Sequence, residues 1–397
     1  MIPDWFYLVC AFAFGSCIGS FLNVVIYRLP RDKSLAFPPS MCPGCEKPIH
    51  FYDNIPILSW LLLRGRCRNC KMLITSRYMV VELMTGLLFV AVFILYFIYG
   101  ENRFGLNDMV GKEAFHAGGW MFYLMHIVLL CCLIAASAID LELWVIPLSL
   151  CWFCTIVGVV GTAIGRTIVG IGLPEPIIVG FYRHTPEVMV SPSAITSLSA
   201  GAVIGLIISM ILLMTGVIKR SYEDQGLENI EDQINDKNYP HRLEVLKEVV
   251  FLIPIIACSI GWYWACKSLP ALTEKWVVWS DIPMVYGFLS SLLGYFIGCA
   301  VVWATRILGT LAFGKEAMGL GDVHLMGAAG AVIGPVFVTV AFFIAPFFGL
   351  AWAFYQMFFK KTRQIPYGPF LSMAIFVVMI FHDFFAIYIK NLFPQGF

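Results

Sequence analysis

Two aspartates stand at the edges of apolar runs in the sequence, where they are candidates for the catalysis of hydrolysis. Asp140 ends an apolar run in CLIAASAIDLELWVIP, and Asp322 follows a glycine-rich turn in EAMGLGDVHLMGAAG. Acidic residues at the edge of a membrane helix are costly and therefore indicate function. Two carboxylates that share a site cannot both ionise easily, so one keeps a proton while the other takes a proton from water. The pair predicts the chemistry of an aspartyl protease.

The alternative interpretation of either aspartate alone is a helix cap at a membrane interface. Gly319 and Gly321, just before Asp322, favour catalysis because glycine allows backbone conformations and close approaches that a Cβ resists. We expect a substrate strand to lie beside them. Three other acidic residues stand in looser or outer-side contexts and are weaker candidates: Glu142, Asp281 and Asp383.

Four cysteines in the polar segment from Arg28 to Arg77 form two C-x-x-C pairs, Cys42/Cys45 and Cys67/Cys70, which lie 21 residues apart. Paired thiolates on two tight turns are typical ligands of tetrahedral zinc. Four thiolates leave no open position for water, so this zinc is expected to be structural and not hydrolytic. Two disulfides or four free thiols are the alternatives, and a reducing cytoplasmic location disfavours the disulfides.

Other potential metal ligands are weaker. His50 lies between the two cysteine pairs, but four thiolates already saturate a structural site. Cys151 and Cys154 repeat the spacing inside an apolar run without a matching second pair, which predicts packing and not metal binding.

The elements that position these residues are membrane helices. Hydrophobic residues make up 60% of the chain and charged residues only 13%, and several runs reach the ~20 residues that cross a bilayer. The sequence predicts an all-α polytopic membrane protein of about ten transmembrane helices with a small cytoplasmic zinc-binding loop module. A net charge of +1 gives no reason to expect nucleic acid, and membrane lipid is the expected surrounding. The predicted spans are roughly 5–27, 79–99, 120–139, 144–164, 195–217, 249–266, 283–305, 323–334, 336–358 and 370–389.

Basic residues in the loops orient these spans, because cytoplasmic loops carry the excess of Lys and Arg. With both termini outside, 19 of the 26 basic residues lie inside and seven outside. Asp140, Asp322 and the cysteine pairs then share the cytoplasmic side. The predicted regions are a first transmembrane helix (1–27), a zinc module (28–78), helices with the first aspartate (79–167), a segment with two helices and a charged cytoplasmic loop (168–281), and C-terminal helices with the glycine turn (282–397).

Taken in order, the motifs resemble those of the bacterial type IV prepilin peptidases, which are membrane aspartyl proteases of the GxGD type. The shared motifs span nearly the whole chain: GSFLNVVIYRLP (19–30), CPGC and CRNC, DNIPILSWLLLRGRC (53–67), SRYMVVE (76–82), AIDLELWVIP around Asp140, AMGLGD (317–322) and IPYGPFLS (365–372).

The resemblance implies an inner-membrane enzyme that removes the short basic leader of prepilins or pseudopilins on the cytoplasmic side. In zinc-bearing members of the family it also implies N-methylation of the new N-terminal residue with S-adenosylmethionine. Asp140 and Asp322 match the family's catalytic positions, and the four cysteines match its zinc ligands. The methyl-transfer expectation rests on resemblance alone, since no glycine loop of the Rossmann kind is present.

The chain departs from the family pattern in three places. Leu148 stands after Pro147 where the family usually has Pro-Asp, and His324 stands where it has lysine. The aspartates are separated by 181 residues, more than the short helix pair of the family requires. The surplus is assigned to Ile168–Asp281, and its two extra crossings would preserve the sidedness of the helices downstream.

Two other functions stay open. One is a related GxGD membrane protease with different substrates. The other is a zinc-ribbon membrane scaffold or transporter in which the aspartates relay protons or bind cations. Cleavage of a prepilin discriminates between these functions and the leading one.

Overall fold

The computed structural model describes residues 3–42, 44–99, 112–171, 191–221, 241–359 and 366–392. Within these ranges the chain forms helices joined by loops, and its only β-type pairing is two isolated bridges. The all-α prediction is therefore confirmed. The chain divides into two compact units, Met1–Leu150 and Cys151–Phe397.

The first unit is built on three long helices and a loop module. The main helices of this unit are α1 (Asp4–Arg28), α2 (Leu58–Leu62), α3 (Arg77–Phe93) and α4 (Trp120–Leu143). Helix α3 continues into a π-helical segment, Ile94–Ile98, and a helical turn, Lys112–Ala114, with a second π-helical segment, Phe115–Gly119, precedes α4.

Small residues bring α1 and α3 into close contact. A Cβ at Gly19 would lie 2.7 Å from the Cα of Glu82. One turn further along α1, the side-chain amide of Asn23 donates to the carbonyl of Tyr78 at 3.1 Å. Membrane helices associate mainly through close van der Waals packing of their backbones, because the hydrophobic effect does not favour helix contact over lipid contact. The motifs GSFLN and SRYMVVE therefore meet in space.

The second unit contains the remaining helices. Its described helices are α5 (Leu148–Ile171, whose first three residues belong to the first unit), α6 (Pro192–Met214), α7 (His241–Ser268), α8 (Pro270–Ser280), α9 (Pro283–Phe313), α10 (Leu320–Ile333), α11 (Pro335–Phe359), α12 (Gly368–Ile380) and α13 (His382–Leu392). Helix α6 packs on α7, and α9 packs on α6, α10 and α11. Serine hydroxyls join α6 to α7, because Ser209 donates to the carbonyl of Phe251 at 2.7 Å and Ser259 to that of Leu198 at 2.8 Å.

Helix α10 is short and lies in the core of this unit. Its 14 residues extend only about 21 Å at 1.5 Å per residue. All its residues from Leu325 to Ile333 are buried. A Cβ on Gly294 of α9 would overlap the carbonyl of Gly330, and a Cβ on Gly330 would overlap that of Gly294. The two backbones touch directly, so α10 is held by protein and not by lipid.

By length and composition, seven of the described helices can cross a membrane, or eight if the bent pair α12–α13 counts as one span. The sequence predicted about ten spans. The two predicted spans that are not among these seven or eight helices are nevertheless helical. The predicted span 323–334 lies in the short helix α10, and 249–266 lies in α7, which has Pro254 in its interior. The predicted charged loop falls largely on 222–240, outside the described residues.

The contact between α9 and α10 predicts a difference between two glycine substitutions. Gly294→Ala should destabilise the protein by about 1–3 kcal/mol, because its methyl group meets backbone that cannot move aside. Gly261→Ala, in open space on α7, is the control and should be neutral or slightly stabilising. Thermal unfolding in detergent measures both. Equal midpoints for the two variants would contradict the close contact.

Candidate active site and metal centre

Asp322 lies in the first turn of α10. Gly319 is the N-cap of this helix, and Asp322 is partly exposed while the next residue, Val323, is fully buried. Free backbone N–H groups and the helix dipole favour negative charge at a helix N-terminus. The structure thus places this carboxyl at the edge of a buried core, in a position that suits an anion.

Gly319 contributes space more than unusual backbone geometry. The φ of −74° and ψ of 150° at Gly319 are accessible to any residue. A Cβ at Gly319 would have the Oδ2 of Asp322 as its nearest neighbour, at 3.7 Å. The expectation that Gly319 is needed for its conformation is therefore not supported, because a side chain at this position would instead occupy space beside the carboxylate.

Tyr367 is a neighbour of Asp322 that the sequence motifs did not single out. It immediately precedes α12 in the motif IPYGPFLS. Burial, together with the negative charge of Asp322, raises the pKa of Tyr367 to about 12. The motif as a whole matches the family, but nothing in its spacing indicates that its tyrosine lies near a residue 45 positions earlier.

His324, which replaces the lysine expected at this position, is held by aromatic side chains. The hydroxyl of Tyr295 and the Nδ1 of His324 are 2.9 Å apart. The Trp152 ring lies 5.8 Å from the imidazole, centroid to centroid. These contacts fix the orientation of the imidazole ring in the first turn of α10.

Asp140 lies in the last turn of α4 and is only 7% exposed. Trp144 ends the helix in a left-handed conformation, and its N–H donates to the backbone carbonyl of Asp140 at 3.0 Å. Two residues after Asp140, Glu142 forms an ion pair with Arg77 at the start of α3. The end of α4 is therefore tied to the start of α3, and the position of the Asp140 backbone is well defined.

The two aspartates belong to different compact units, Asp140 to the first and Asp322 to the second. Each stands at a helix end, as their positions in the sequence predicted. Their pairing around one water remains a prediction.

The four cysteines lie on two matching turns of the first unit. Each turn is bracketed by a bridge, Met41 with Pro48 and Arg66 with Leu73. In the first turn the Cys42 N–H donates to Lys47 and the Cys42 carbonyl accepts from Glu46, and Cys67 makes the same pair of bonds with Met72 and Lys71. Glu46 and Lys71, one residue after each C-x-x-C, both have positive φ, 53° and 61°. The sequence thus folds each pair locally in the same way.

The sulfur atoms of Cys42, Cys45, Cys67 and Cys70 all lie within 4.8 Å of one another, and none is in a disulfide. A tetrahedral zinc with Zn–S bonds of about 2.3 Å has sulfur–sulfur edges of about 3.8 Å. The distance between the sulfurs of Cys42 and Cys70 is 3.7 Å. The donor set and its spacing therefore fit a four-thiolate metal site.

Among the described residues this is the one group of three or more such side chains close enough to share a metal. Backbone N–H groups of Cys70 and Asn69 point at the sulfur of Cys67 and lower its pKa to about 6, whereas burial and hydrogen bonds from the other three thiols raise the pKa of Cys70 to about 11. Binding of a metal to all four sulfurs would release the protons that remain. His50 stacks on Tyr52 at 5.2 Å and lies outside the cluster. Cys151 and Cys154 are buried within α5, also outside it.

Charged side chains connect the cysteine module to the rest of the first unit. Arg68, next to Cys67, forms a two-pronged ion pair with Asp53 at 2.6 and 2.8 Å. This hydrogen-bonded contact lowers the pKa of Asp53 below its ordinary value. Glu82 on α3 accepts from the N–H of Ile57 at 2.7 Å. The motif DNIPILSW therefore joins the second cysteine turn to the helix pair α1–α3.

Two family models match the chain. Residues 13–96, which include the cysteine module, match the bacterial peptidase A24 N-terminal domain. Residues 250–354, which include Asp322, match the type IV leader peptidase family. Asp140 lies between the two matched ranges.

Curated relatives agree with these models. A prepilin leader peptidase/N-methyltransferase of Myxococcus xanthus is 42% identical over 153 residues, 38% of this chain and 39% of the relative. A type 4 prepilin-like proteins leader peptide-processing enzyme of Escherichia coli is 41% identical over 146 residues, 32% of this chain and 46% of the relative. A prepilin leader peptidase/N-methyltransferase of Aeromonas hydrophila is 46% identical over 112 residues, 22% of this chain and 39% of the relative.

The chain thus matches less than half the length of these three relatives, 39%, 46% and 39%. No solved structure matches it. The two family models nevertheless occur in the order that the motifs predicted, and they confirm the resemblance to the bacterial type IV leader peptidases.

Proposed function

We propose that the chain is an aspartyl endopeptidase that removes the leader peptide of type IV prepilins or pseudopilins. The observation that carries this proposal is the position of Asp322, at the N-terminus of a buried helix and within the range that matches the leader peptidase family. The names of the relatives, which describe prepilin leader peptidases, support the substrate class.

Asp140 and Asp322 are the proposed catalytic pair, and the helix ends at which they stand support different proposed roles for them. Asp322 stands at a helix N-terminus, which stabilises an anion, so it is the base that takes a proton from the attacking water. Asp140 is buried near a helix C-terminus, where negative charge is disfavoured, so we propose it as the protonated partner of the pair. In that form it polarises the scissile carbonyl and then protonates the leaving amine. Gly319 and Gly321 leave room for the substrate backbone beside Asp322.

The four-cysteine cluster is proposed to hold one structural zinc. Cys42, Cys45, Cys67 and Cys70 are its ligands, and with all four positions occupied the metal cross-links two turns that have little core of their own. No catalytic step is assigned to it. The distribution of basic residues supports a cytoplasmic location for this module and for both aspartates, in a bacterial inner membrane with both termini outside.

N-methylation of the mature terminus with S-adenosylmethionine is a second proposed activity. It rests on the names of relatives that are described as N-methyltransferases. No residue is assigned to hold the methyl donor. We propose that the part of the predicted segment 168–281 before residue 250 is an insertion relative to the family, because the leader peptidase match begins there; helix α6 and the start of α7 lie within it.

Removal of either carboxylate should abolish cleavage. Asp140→Asn and Asp322→Asn should each lower kcat for a purified prepilin by at least about a thousandfold, because neither an amide base nor an amide acid completes the step. Asp281→Asn, in the turn before α9, is the matched control and should cleave normally. Gel analysis of the leader product measures all three. Cleavage retained in either variant would remove that residue from the mechanism, and no cleavage by the wild type would favour another substrate, a scaffold or a transporter.

Metal analysis of the purified chain should give about one zinc per chain. The double variant Cys67→Ser, Cys70→Ser should lose it, because two hydroxyls cannot replace two thiolates. Cys151→Ser, Cys154→Ser has the same spacing inside α5 and should keep its zinc. Unchanged metal content in the first variant would refute the assignment.

Transfer of labelled methyl from S-adenosylmethionine to the mature pilin terminus should accompany cleavage. Mass spectrometry of the product peptide detects the added methyl group. Its absence under conditions of active cleavage would mean that the chain is a peptidase only.

A further inference from the structure

Arg306 is a charged side chain buried almost completely in the second unit. It projects from α9, and only 1% of the side chain is exposed. A guanidinium removed from water costs several kcal/mol unless carboxylates and hydrogen-bond acceptors surround it. Its partners therefore indicate what it is for.

The first partner is Glu248 on α7, which is 3% exposed. Arg306 donates to its carboxylate from Nε at 3.2 Å and from Nη2 at 3.1 Å. Trp303, one turn earlier on α9, donates its indole N–H to the same carboxylate at 2.6 Å. Glu248 is thus fixed by two side chains of α9, and α7 is joined to α9 at this point.

The remaining partners lie in the loop between α9 and α10. The Nη1 of Arg306 contacts both the carboxylate of Glu316 and the backbone carbonyl of Met318. The N–H of Ala317 donates to the hydroxyl of Thr310 on α9 at 3.2 Å. Three consecutive loop residues are therefore attached to α9, immediately before Gly319 and four residues before Asp322.

We propose that Glu248 and Arg306 are positioning residues for Asp322. Glu248 orients the guanidinium, the guanidinium holds the carbonyl of Met318, and this carbonyl sets where α10 begins. The inference rests on the proposed function for its catalytic consequence, but the attachment of the loop is independent of that function.

Glu248 also gives the segment 168–281 a role. Residues 168–249 precede the range that matches the leader peptidase family, yet helix α7, which begins within them, supplies the carboxylate that balances Arg306. A planar guanidinium can donate to a carboxylate from one edge and to a carbonyl from the other. Without the carboxylate of Glu248, the guanidinium can rotate away from the carbonyl of Met318. Helix α7 therefore supports the glycine turn from outside the loop.

The test compares Glu248→Gln with Glu244→Gln. Both glutamates are buried on α7 one turn apart, but Glu244 pairs with Lys247 at 2.7 Å. Glu248→Gln should lower kcat for prepilin cleavage by roughly ten- to a hundredfold through misplacement of Asp322, with KM changed by less than about threefold. Hydrogen–deuterium exchange of the peptide covering 314–319 should accelerate about tenfold or more. Glu244→Gln should behave as wild type in both measurements.

The exchange measurement separates this inference from the proposed function. If the wild type cleaves no prepilin, the function fails, and exchange of the loop still decides the positioning role. Loop exchange and kcat that match those of Glu244→Gln would overturn the inference. If Glu248→Gln does not fold, as judged by gel filtration, Glu316→Gln replaces it. This partly exposed partner should also accelerate loop exchange and lower kcat with little change in KM, and wild-type behaviour would again overturn the proposal.

Discussion

Direct contact between the backbones of α9 and α10 is the constraint on which the candidate site depends. A helix of 14 residues cannot cross a bilayer core of about 30 Å, so α10 needs protein around it. Gly294 and Gly330 allow the two helices to touch, and Ser291 of α9 donates to the carbonyl of Ala331 at 2.6 Å. The burial of α10 is what places its first turn, and with it Asp322, at a defined point on the edge of the core.

The second unit contains charged side chains in two kinds of environment, one buried and one partly exposed. The guanidinium of Arg306 and the carboxylate of Glu248 are buried together. Each provides hydrogen-bond partners for the other, which would otherwise be a buried charge without its counter-ion. Asp322 instead stands at a partly exposed helix N-terminus, where the backbone itself favours the anion. The proposed base has to remain accessible to water, whereas a carboxylate that holds a helix in place does not.

The first unit is organised around local turns joined by a few distant bonds. Each cysteine pair forms its own turn, and the bonds of Arg68 with Asp53 and of Ile57 with Glu82 attach the second turn to α3. These bonds connect the cysteine module to α3, and α3 packs on α1 through Gly19 and Asn23. Three of the motifs that carry the family resemblance thus form one continuous set of contacts. Their order along the chain reflects a shared structure and not separate functions.

The sequence by itself determined the helical class, the two cysteine turns and the helix-edge positions of Asp140 and Asp322. These features follow from local properties: the transfer free energy of apolar runs, the conformations of short turns, and the cost of charge near lipid. Only the tertiary structure decided that α10 is buried, that Tyr367 lies near Asp322, and that Glu248 balances Arg306. Hydropathy measures how strongly a segment avoids water, but it does not say whether lipid or protein replaces that water. It also cannot identify the partner of a buried charge when 58 residues separate the two along the chain.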